Sequence, residues 1–166
     1  ARTVHRLRRQ MGIIEQMDRF IMAQSAQANI ELAGKAIGLS VKQLHVQVQA
    51  VLNQVGMTDY AQRRMTEMSI GQRKKIAIAR ALVTQPPILL ADEPTANLDP
   101  QGTFEIMKIL FQLNQTGTTI IMATHDSTMV NTWRHRVLEL RKGSLLRDDS
   151  QGGYSVLANP KDVYVW

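Results

Sequence analysis

The part of the sequence that most restricts the fold is residues 88–99, ILLADEPTANLD. It begins as an uninterrupted apolar run, which predicts a parallel strand buried on both faces, and continues into two adjacent carboxylates, Asp92 and Glu93. Ligand sites of open α/β sheets lie beyond the carboxyl ends of the strands, which is where this pair falls. We interpret the pair either as acids that cap a helix or line a loop, or as a Mg²⁺ ligand beside a general base for water.

Apolar strands and helical patterns alternate along the chain. Strands are predicted at 11–15, 88–91 and 118–123, and helices at 25–35, 41–55, 68–83 and from Asp99 onward. This alternation predicts an α/β fold with a parallel sheet. A hairpin at 136–147 with its turn at Lys142-Gly143 follows, and then an irregular, Gly-rich tail from Gln151.

Two of these helices have clear start signals. Ser40, with Gln43 three residues later, is typical of a capping box, and Gly56 ends that helix. Asp99 followed by Pro100 indicates an N-cap and a proline at the first helical position. The spacing predicts core faces made of Val41, Leu44, Val48, Val51, Leu52 and Val55 in the first helix, and of Phe104, Met107, Leu110 and Phe111 in the second.

The composition excludes several classes of site. The 166 residues contain no cysteine, which excludes disulfides, thiolate metal sites and cysteine nucleophiles, and no apolar run is long enough to cross a bilayer. The net charge of +6 raises the question of nucleic acid binding. However, the basic residues are spread along the chain, and the few aromatic residues form no stacking platform among them. We therefore expect no nucleic acid partner.

Two further segments have the chemistry of a phosphate site. His125 follows the apolar strand at 118–123, so a parallel sheet would place it at the same edge as Asp92, although a single histidine after a strand is more often structural. The helix that begins near Gly71 presents unpaired N–H groups, which suit a phosphate, and Ser69 adds a hydroxyl. Such a turn also commonly does no more than cap a helix.

Four motifs, in their order and spacing, closely resemble the ATP-binding-cassette (ABC) ATPases. They are Met68-Ser69-Ile70-Gly71-Gln72 for the signature motif, residues 88–93 for Walker B, residues 96–99 for the D-loop and Thr124-His125-Asp126 for the switch histidine. Gln16 resembles the Q-loop glutamine, and the resemblance extends from about Arg6 to Tyr154. It implies a parallel-sheet P-loop NTPase core with a helical subdomain.

The resemblance also divides the chain. It implies an N-terminal core and Q-loop at 1–16, a helical subdomain with the signature motif at 17–85, the Walker B, D-loop and H-loop core at 86–150, and a C-terminal tail at 151–166. The stretch from Arg147 to Tyr154 is similar to the cell-division ATPases of the family. ATPases for lipoprotein release or macrolide export are the alternative.

The resemblance implies an enzyme that hydrolyses ATP with Mg²⁺. Asp92 and Gln16 would hold the metal ion, and Glu93 would be the general base that polarises the attacking water. His125 would contact the γ-phosphate. Gln16 would also link the metal and the water to an integral membrane subunit, a permease, at the cytoplasmic face of the cell membrane.

A second copy of the chain is implied as well. Ser69, Gly71 and Gln72 would bind the γ-phosphate of ATP held by the opposite subunit, so hydrolysis would need a head-to-tail homodimer with Asp99 at its seam. Residues 20–22 would either line a groove that receives a helix of the membrane subunit or pack in the core; both interpretations stay open.

The sequence departs from the family pattern at Ile70, which stands where the signature motif usually has its first glycine. A β-branched side chain disfavours a positive φ and crowds an approaching phosphate. We therefore expect weaker phosphate binding by the signature motif, with hydrolysis reduced rather than abolished.

The second departure is the P-loop, Gly-x-x-x-x-Gly-Lys-Ser/Thr, which these residues do not contain: Gly34-Lys35 is followed by Ala36. The family places this loop before the Q-loop, so we expect it upstream of Ala1, with exposed sheet edges in the present chain. A truncated cassette that only docks on a partner is the alternative of another class.

Overall fold

The computed structural model describes residue 4 and residues 7–153, and within them a three-stranded parallel sheet forms the base of the fold. Its strands are β1 (Met11–Ile14), β2 (Ile88–Asp92) and β3 (Thr119–Ala123), in the order β1-β2-β3. Ile14 pairs with Ala91, and Asp92 pairs with Ala123. The predicted parallel sheet is confirmed.

Five α-helices surround the sheet in the described part of the chain. They are α1 (Ala26–Ala36), α2 (Val41–Gln54), α3 (Ile70–Leu82), α4 (Pro100–Gln115) and α5 (Ser127–Trp133). Single 3-10 turns at Thr58–Tyr60 and Met65–Glu67 lead from α2 to α3. Helix α3 contacts β1 as well as α1, α2 and α4, so it joins the helical layer to the sheet.

The local start and stop signals of the sequence are confirmed. The Ser40 and Gln43 side chains form both halves of a capping box at α2, and Gly56 follows the end of α2 with φ of 67°. At the hairpin of β4 (Val137–Arg141) and β5 (Ser144–Asp149), Lys142 and Gly143 both have positive φ, as a tight two-residue turn requires.

The predicted core faces are correct only in part. The residues of this face that are buried are Leu44, Val48, Val51 and Leu52 of α2 and the following Val55, whereas Val41, the first residue of α2, is 86% exposed. In α4, Met107 and Leu110 are buried, but Phe104 and Phe111 are not. These two rings lie on one flank of α4, 6.1 and 6.0 Å from the Trp133 ring of α5. They form an aromatic cluster at the surface.

The sheet is covered on one face more completely than on the other. Ile14 is 1% exposed, but its neighbour Ile13 points to the opposite face and is 51% exposed. Leu89 and Ala91 are buried, while Ile88 and Leu90 are only half-buried. Strand burial on both faces was therefore predicted wrongly for the described residues. The expectation of unpaired edges is confirmed for them, because β1 and β3 each pair only with β2.

We expect Gly12→Ala to destabilise the protein by about 1–3 kcal/mol, because a Cβ atom at Gly12 would lie 2.6 Å from the Ala81 carbonyl oxygen of α3. The measurement is the free energy of unfolding by urea denaturation. Gly71→Ala is the contrast, since its nearest new neighbour would be a Leu98 methyl at 3.8 Å. Equal losses for the two variants would contradict the close approach of β1 to α3.

Candidate functional site

The carboxyl ends of β2 and β3 bring Asp92, Glu93 and His125 to one edge of the sheet. Asp92 is the last residue of β2 and pairs with Ala123, the last residue of β3. The Glu93 amide then donates a hydrogen bond to the Ala123 carbonyl at 2.9 Å, and Glu93 turns out of the strand with φ of 45°. The predicted placement of His125 at the same edge as Asp92 is confirmed.

The Glu93 carboxylate is held by three hydrogen-bonding groups from the end of β3. Its Oε1 atom accepts from the His125 amide at 2.9 Å and lies 2.5 Å from His125 Nδ1, while Oε2 accepts from the Thr124 hydroxyl at 3.1 Å. The Glu93 side chain is only 15% exposed, so these bonds offset its desolvation. Thr124 belongs to the Thr124-His125-Asp126 motif, but its bond to Glu93 was not predicted, because the two residues are distant in the sequence.

This contact determines which atom of His125 remains for a ligand. An ionised carboxylate only accepts hydrogen bonds, so Nδ1 must carry a proton when it faces Glu93. The ring is 60% exposed, and its Nε2 atom is then the one left for a partner outside the pair. The geometry thus suits an acid–base pair at an exposed edge.

Asp92 and Gln16 have the donor chemistry that Mg²⁺ requires. Asp92 is exposed, and no hydrogen bond or ion pair of the described residues uses its carboxylate. Gln16 follows β1 in an exposed loop, and its side-chain oxygen is also a hard ligand. No group of three His, Cys, Asp or Glu residues among those described is placed to hold a metal ion. A site of few protein ligands still fits Mg²⁺, which keeps several waters or binds phosphate oxygens.

The candidate residues of the signature motif lie at the N-terminus of α3. Ser69 is the N-cap: its hydroxyl oxygen accepts from the Gln72 amide at 3.2 Å, and the Gln72 side chain accepts from the Ser69 amide at 3.0 Å. Ile70 is the first helical residue, and its φ is not positive. The conformational argument against Ile70 does not apply in this structure, because a β-branched residue can adopt the negative φ of a right-handed helix. The steric argument remains, since its side chain is 52% exposed.

A cleft of about 640 Å³ separates this turn from the start of α4. Ser69, Gly71, Gln72 and Asp99 all line it. An ion pair of 2.7 Å between Lys75 and Glu105 also contributes to its walls, and Lys75 lowers the pKa of the Glu105 carboxyl through that hydrogen bond. Asp92, Glu93 and His125 do not line this cleft. The candidate residues thus fall into two separate groups within one chain.

The loop after β1 meets both the signature turn and the D-loop. Gln16 lines a small cavity of about 190 Å³ together with Ile70 and Asn97. Farther along the loop, the Arg80 guanidinium lies 4.6 Å from the centre of the Phe20 ring, so Phe20 packs against α3, whereas Ile21 is 47% exposed. Core packing thus applies to Phe20, and a groove for a helix of a membrane subunit stays a prediction for the exposed Ile21 and Met22.

Burial has opposite effects on the two charged groups beside this loop. Desolvation raises the pKa of the Asp18 carboxyl above its ordinary value, although Lys74 and Arg80 oppose the shift. Desolvation also lowers the pKa of the Arg80 guanidinium, against the attraction of Asp18 and Glu15. Both shifts show that charge is held here at a cost in solvation.

The chain is similar in sequence to a known protein family and to several characterised proteins. A family model described as ABC transporter matches residues 1–96. The cell division ATP-binding protein FtsE of Streptococcus pneumoniae serotype 2 (strain D39) is 43% identical over 148 residues, which make up 89% of this chain and 64% of that protein.

Two solved structures are similar over most of the chain. The structure of cbiO1 from Clostridium perfringens, part of the ABC transporter complex cbiONQ, has a TM-score of 0.80 and 29% identity, covering 90% of this chain and 61% of that one. The ATP-binding cassette MJ0796, solved as a dimer in a post-hydrolysis state with ADP and Pi, has a TM-score of 0.75 and 29% identity, covering 92% of this chain and 68% of that one. The predicted P-loop NTPase fold is confirmed.

The chain thus spans 64% of the length of the FtsE protein that it matches. None of the helices in the described ranges is long and apolar enough to cross a membrane.

We expect Asp99→Ala to lower the free energy of unfolding by about 1 kcal/mol, because the Asp99 carboxylate accepts the Gly102 amide at 2.8 Å and caps α4. Asp99→Asn keeps an acceptor oxygen and is the matched control, with little expected loss. Urea denaturation measures both. An equal loss of unfolding free energy in both variants would show that the charge of Asp99, rather than the hydrogen bond of the cap, stabilises this turn.

Proposed function

Because the chain belongs to the ABC transporter family, we propose that it works in a protein that hydrolyses Mg-ATP to drive a membrane partner in cell division. One observation carries the chemistry: Glu93 and His125, from the ends of two paired strands, contact each other beside Asp92 at an exposed edge. Such a pair can take a proton from water next to a phosphate. The cell-division assignment is supported by the similarity to FtsE.

Glu93 is the proposed general base. Its carboxylate is already oriented by Thr124 and by the His125 amide, so it needs little rearrangement to accept a proton from water. His125 is proposed to contact the γ-phosphate through Nε2. With Nδ1 protonated toward Glu93, Nε2 donates to a phosphate oxygen only when the ring carries both protons.

Asp92 and Gln16 are the proposed Mg²⁺ ligands, and the side-chain oxygens of both residues are suited to it. Mg²⁺ held by these residues would neutralise the negative charge that develops on the phosphates. Asp92 contributes an unpaired carboxylate at a rigid strand end. Gln16 is carried by a loop, which suits a residue proposed to respond to the membrane partner.

The signature cleft is proposed to complete the site of a second copy. Ser69, Gly71 and Gln72 would bind the γ-phosphate of ATP held by that copy, with Asp99 at the seam. The proposal is supported by the separation of this cleft from Glu93 within one chain, and by the dimeric state of MJ0796 with ADP and Pi. A head-to-tail dimer would bring one group of each copy to the same nucleotide.

The partner is proposed to be an FtsX-like permease, which would hold the chain at the cytoplasmic face of the membrane. The exposed part of residues 20–22 would receive a helix of that permease. In this arrangement residues 1–16 would be the end of the N-terminal core and the Q-loop, 17–85 the helical subdomain, and 86–150 the Walker B, D-loop and H-loop core. Most of the proposed tail at 151–166 lies outside the described residues.

We expect Glu93→Gln to lower the rate of ATP hydrolysis by about 100-fold or more, because the amide keeps the shape of the side chain but is not a base. The rate is measured as phosphate release by the chain joined to a segment that bears a P-loop. Glu31→Gln is the control, since Glu31 lies on α1 and bonds to Gln27 and Lys35 instead.

Calorimetry of Mg-ATP tests the proposed function as a whole. The 166-residue chain alone is expected to give no heat at millimolar nucleotide, and the same chain joined to a P-loop segment is expected to bind, with Glu93→Gln retaining the nucleotide. Binding by the chain alone would contradict the need for a P-loop. Binding without hydrolysis in the joined protein would favour the non-catalytic docking module.

We expect Ile70→Ala to raise hydrolysis by the joined protein severalfold, because it removes an exposed β-branched side chain from the turn proposed to receive a phosphate. Val41→Ala is a matched control: Val41 is also an exposed first helical residue after a serine N-cap with a capping box. The measurement is the rate of phosphate release against ATP concentration. An unchanged rate in both variants would show that the Ile70 side chain does not obstruct the signature turn.

A further inference from the structure

The loop that carries Gln16 is held by a buried lysine of α3. Lys74 is 3% exposed, and its Nζ atom lies 2.8 Å from Asp18 Oδ2. The same ammonium donates to the carbonyl oxygens of Glu15 at 3.3 Å and Gln16 at 3.4 Å. All three protons of the ammonium therefore have acceptors in one short stretch of loop.

The remainder of this loop is bound in the same way by side chains of the helical layer. Arg80 of α3 donates to the Arg19 carbonyl at 2.5 Å and stacks on Phe20. Asn29 of α1, which is 1% exposed, accepts from the Ile21 amide at 2.8 Å and donates back to the Ile21 carbonyl at 3.2 Å. The loop thus takes its shape from α1 and α3.

The sheet provides little of this support. Pairing of β1 with β2 ends at Ile14 and Ala91. In the described part of the chain, residues 17–20 form no backbone–backbone hydrogen bond. A loop without such bonds is free to move unless side chains hold it, and Lys74 is the side chain that bonds to Gln16 itself.

Lys74 also lies one turn from the candidate phosphate turn. Ser69 caps α3 and Gly71 is its second residue, so Lys74 is three residues beyond Gly71 on the same rigid helix. A lysine is a costly choice for a buried position, since an apolar residue of similar size would fill the space without desolvating a charge. The bonds to the loop are what the lysine contributes and an apolar residue would not.

We propose that Lys74 is a positioning residue that ties Gln16 to the signature turn. Movement of α3, whose signature turn would bind the nucleotide of the second copy, would then displace Gln16, the proposed Mg²⁺ ligand at the nucleotide of its own chain. The inference rests on the proposed function for the roles of Gln16 and Ser69. The coupling of the Gln16 loop to α3 through Lys74 does not depend on bound nucleotide, so it can be tested in the nucleotide-free chain.

Hydrogen–deuterium exchange of the 166-residue chain tests the coupling. We expect Lys74→Met to speed exchange of the two hydrogen-bonded amides of this loop, those of Ile21 and Gln24, by about tenfold or more, while exchange in α2 and α4 stays unchanged. Lys74→Arg keeps a cationic donor and is expected to restore part of the protection. Lys108→Met is the matched control, because Lys108 lies on the exposed face of α4.

Asp18→Asn separates the ion pair from the bonds to the loop backbone. It leaves the carbonyl oxygens of Glu15 and Gln16 available to Lys74, so exchange of the Ile21 and Gln24 amides is expected to change less than in Lys74→Met. A larger change in Asp18→Asn, a uniform change across the chain in Lys74→Met, or no rescue by Lys74→Arg would overturn the proposal.

A double-mutant cycle tests the link to the signature turn. Ser69→Ala removes the cap of α3, and we expect it to speed exchange of the Ile21 and Gln24 amides in the parent chain but not in the Lys74→Met background. Independent, additive effects would overturn the coupling. The calorimetric experiment above is separate: failure of Mg-ATP binding there would refute the proposed function, whereas the exchange results alone decide whether Lys74 joins the loop to the helix.

Discussion

The parallel pairing of β2 with β1 and β3 is the constraint on which the rest of the structure depends. Because all three strands run the same way, each one delivers the residues that follow it to the same edge of the sheet. Asp92 ends β2 and Glu93 follows it, His125 follows β3, and Gln16 follows β1. Antiparallel pairing at either step would have sent one of these residues to the opposite end of the molecule.

Helix α3 is the second organising element, since it joins the sheet to the helical layer and also carries the candidate phosphate turn. Gly12 allows β1 to approach α3 so closely that a Cβ atom would contact the Ala81 carbonyl. Lys74 and Arg80 then extend from α3 to the loop that follows β1. A displacement of α3 would therefore displace Gln16 as well. This coupling would link packing in the helical layer to the position of a candidate residue at the sheet edge.

The two groups of candidate residues differ in how complete they are. Glu93 is fully provided with hydrogen-bonding partners from its own chain, whereas Ser69, Gly71, Gln72 and Asp99 line a cleft that is open to solvent. This difference agrees with the proposed site shared between two copies, in which Glu93 is oriented by its own chain and the cleft of the other copy would bind the phosphate. The carboxylates that follow the apolar strand are thus neither a simple cap nor a buried charge without partners.

Local chemistry was sufficient to predict the strands and the approximate helix boundaries, whereas the roles of the candidate residues came from the resemblance to a known family and stay predictions. Ser40, Ser69 and Asp99 cap helices through hydrogen bonds to residues only three positions away. The apolar runs form strands that pair with one another in the sheet. The sequence also predicted His125 at the same edge as Asp92, because the carboxyl ends of neighbouring parallel strands lie at the same edge of a sheet.

Contacts between distant residues were decided by the tertiary structure alone. Whether Val41, Phe104 and Phe111 are buried depends on which neighbours cover their helices, and periodicity cannot show this. Thr124 bonds to Glu93 across 31 residues of sequence, and Lys74 bonds to Gln16 across 58, so no local pattern predicts either bond. The sequence by itself determined the elements and the chemistry at their ends; only the fold decided which side chains hold that chemistry in position, because hydrogen bonds act over a few ångströms of space, whatever the distance along the chain.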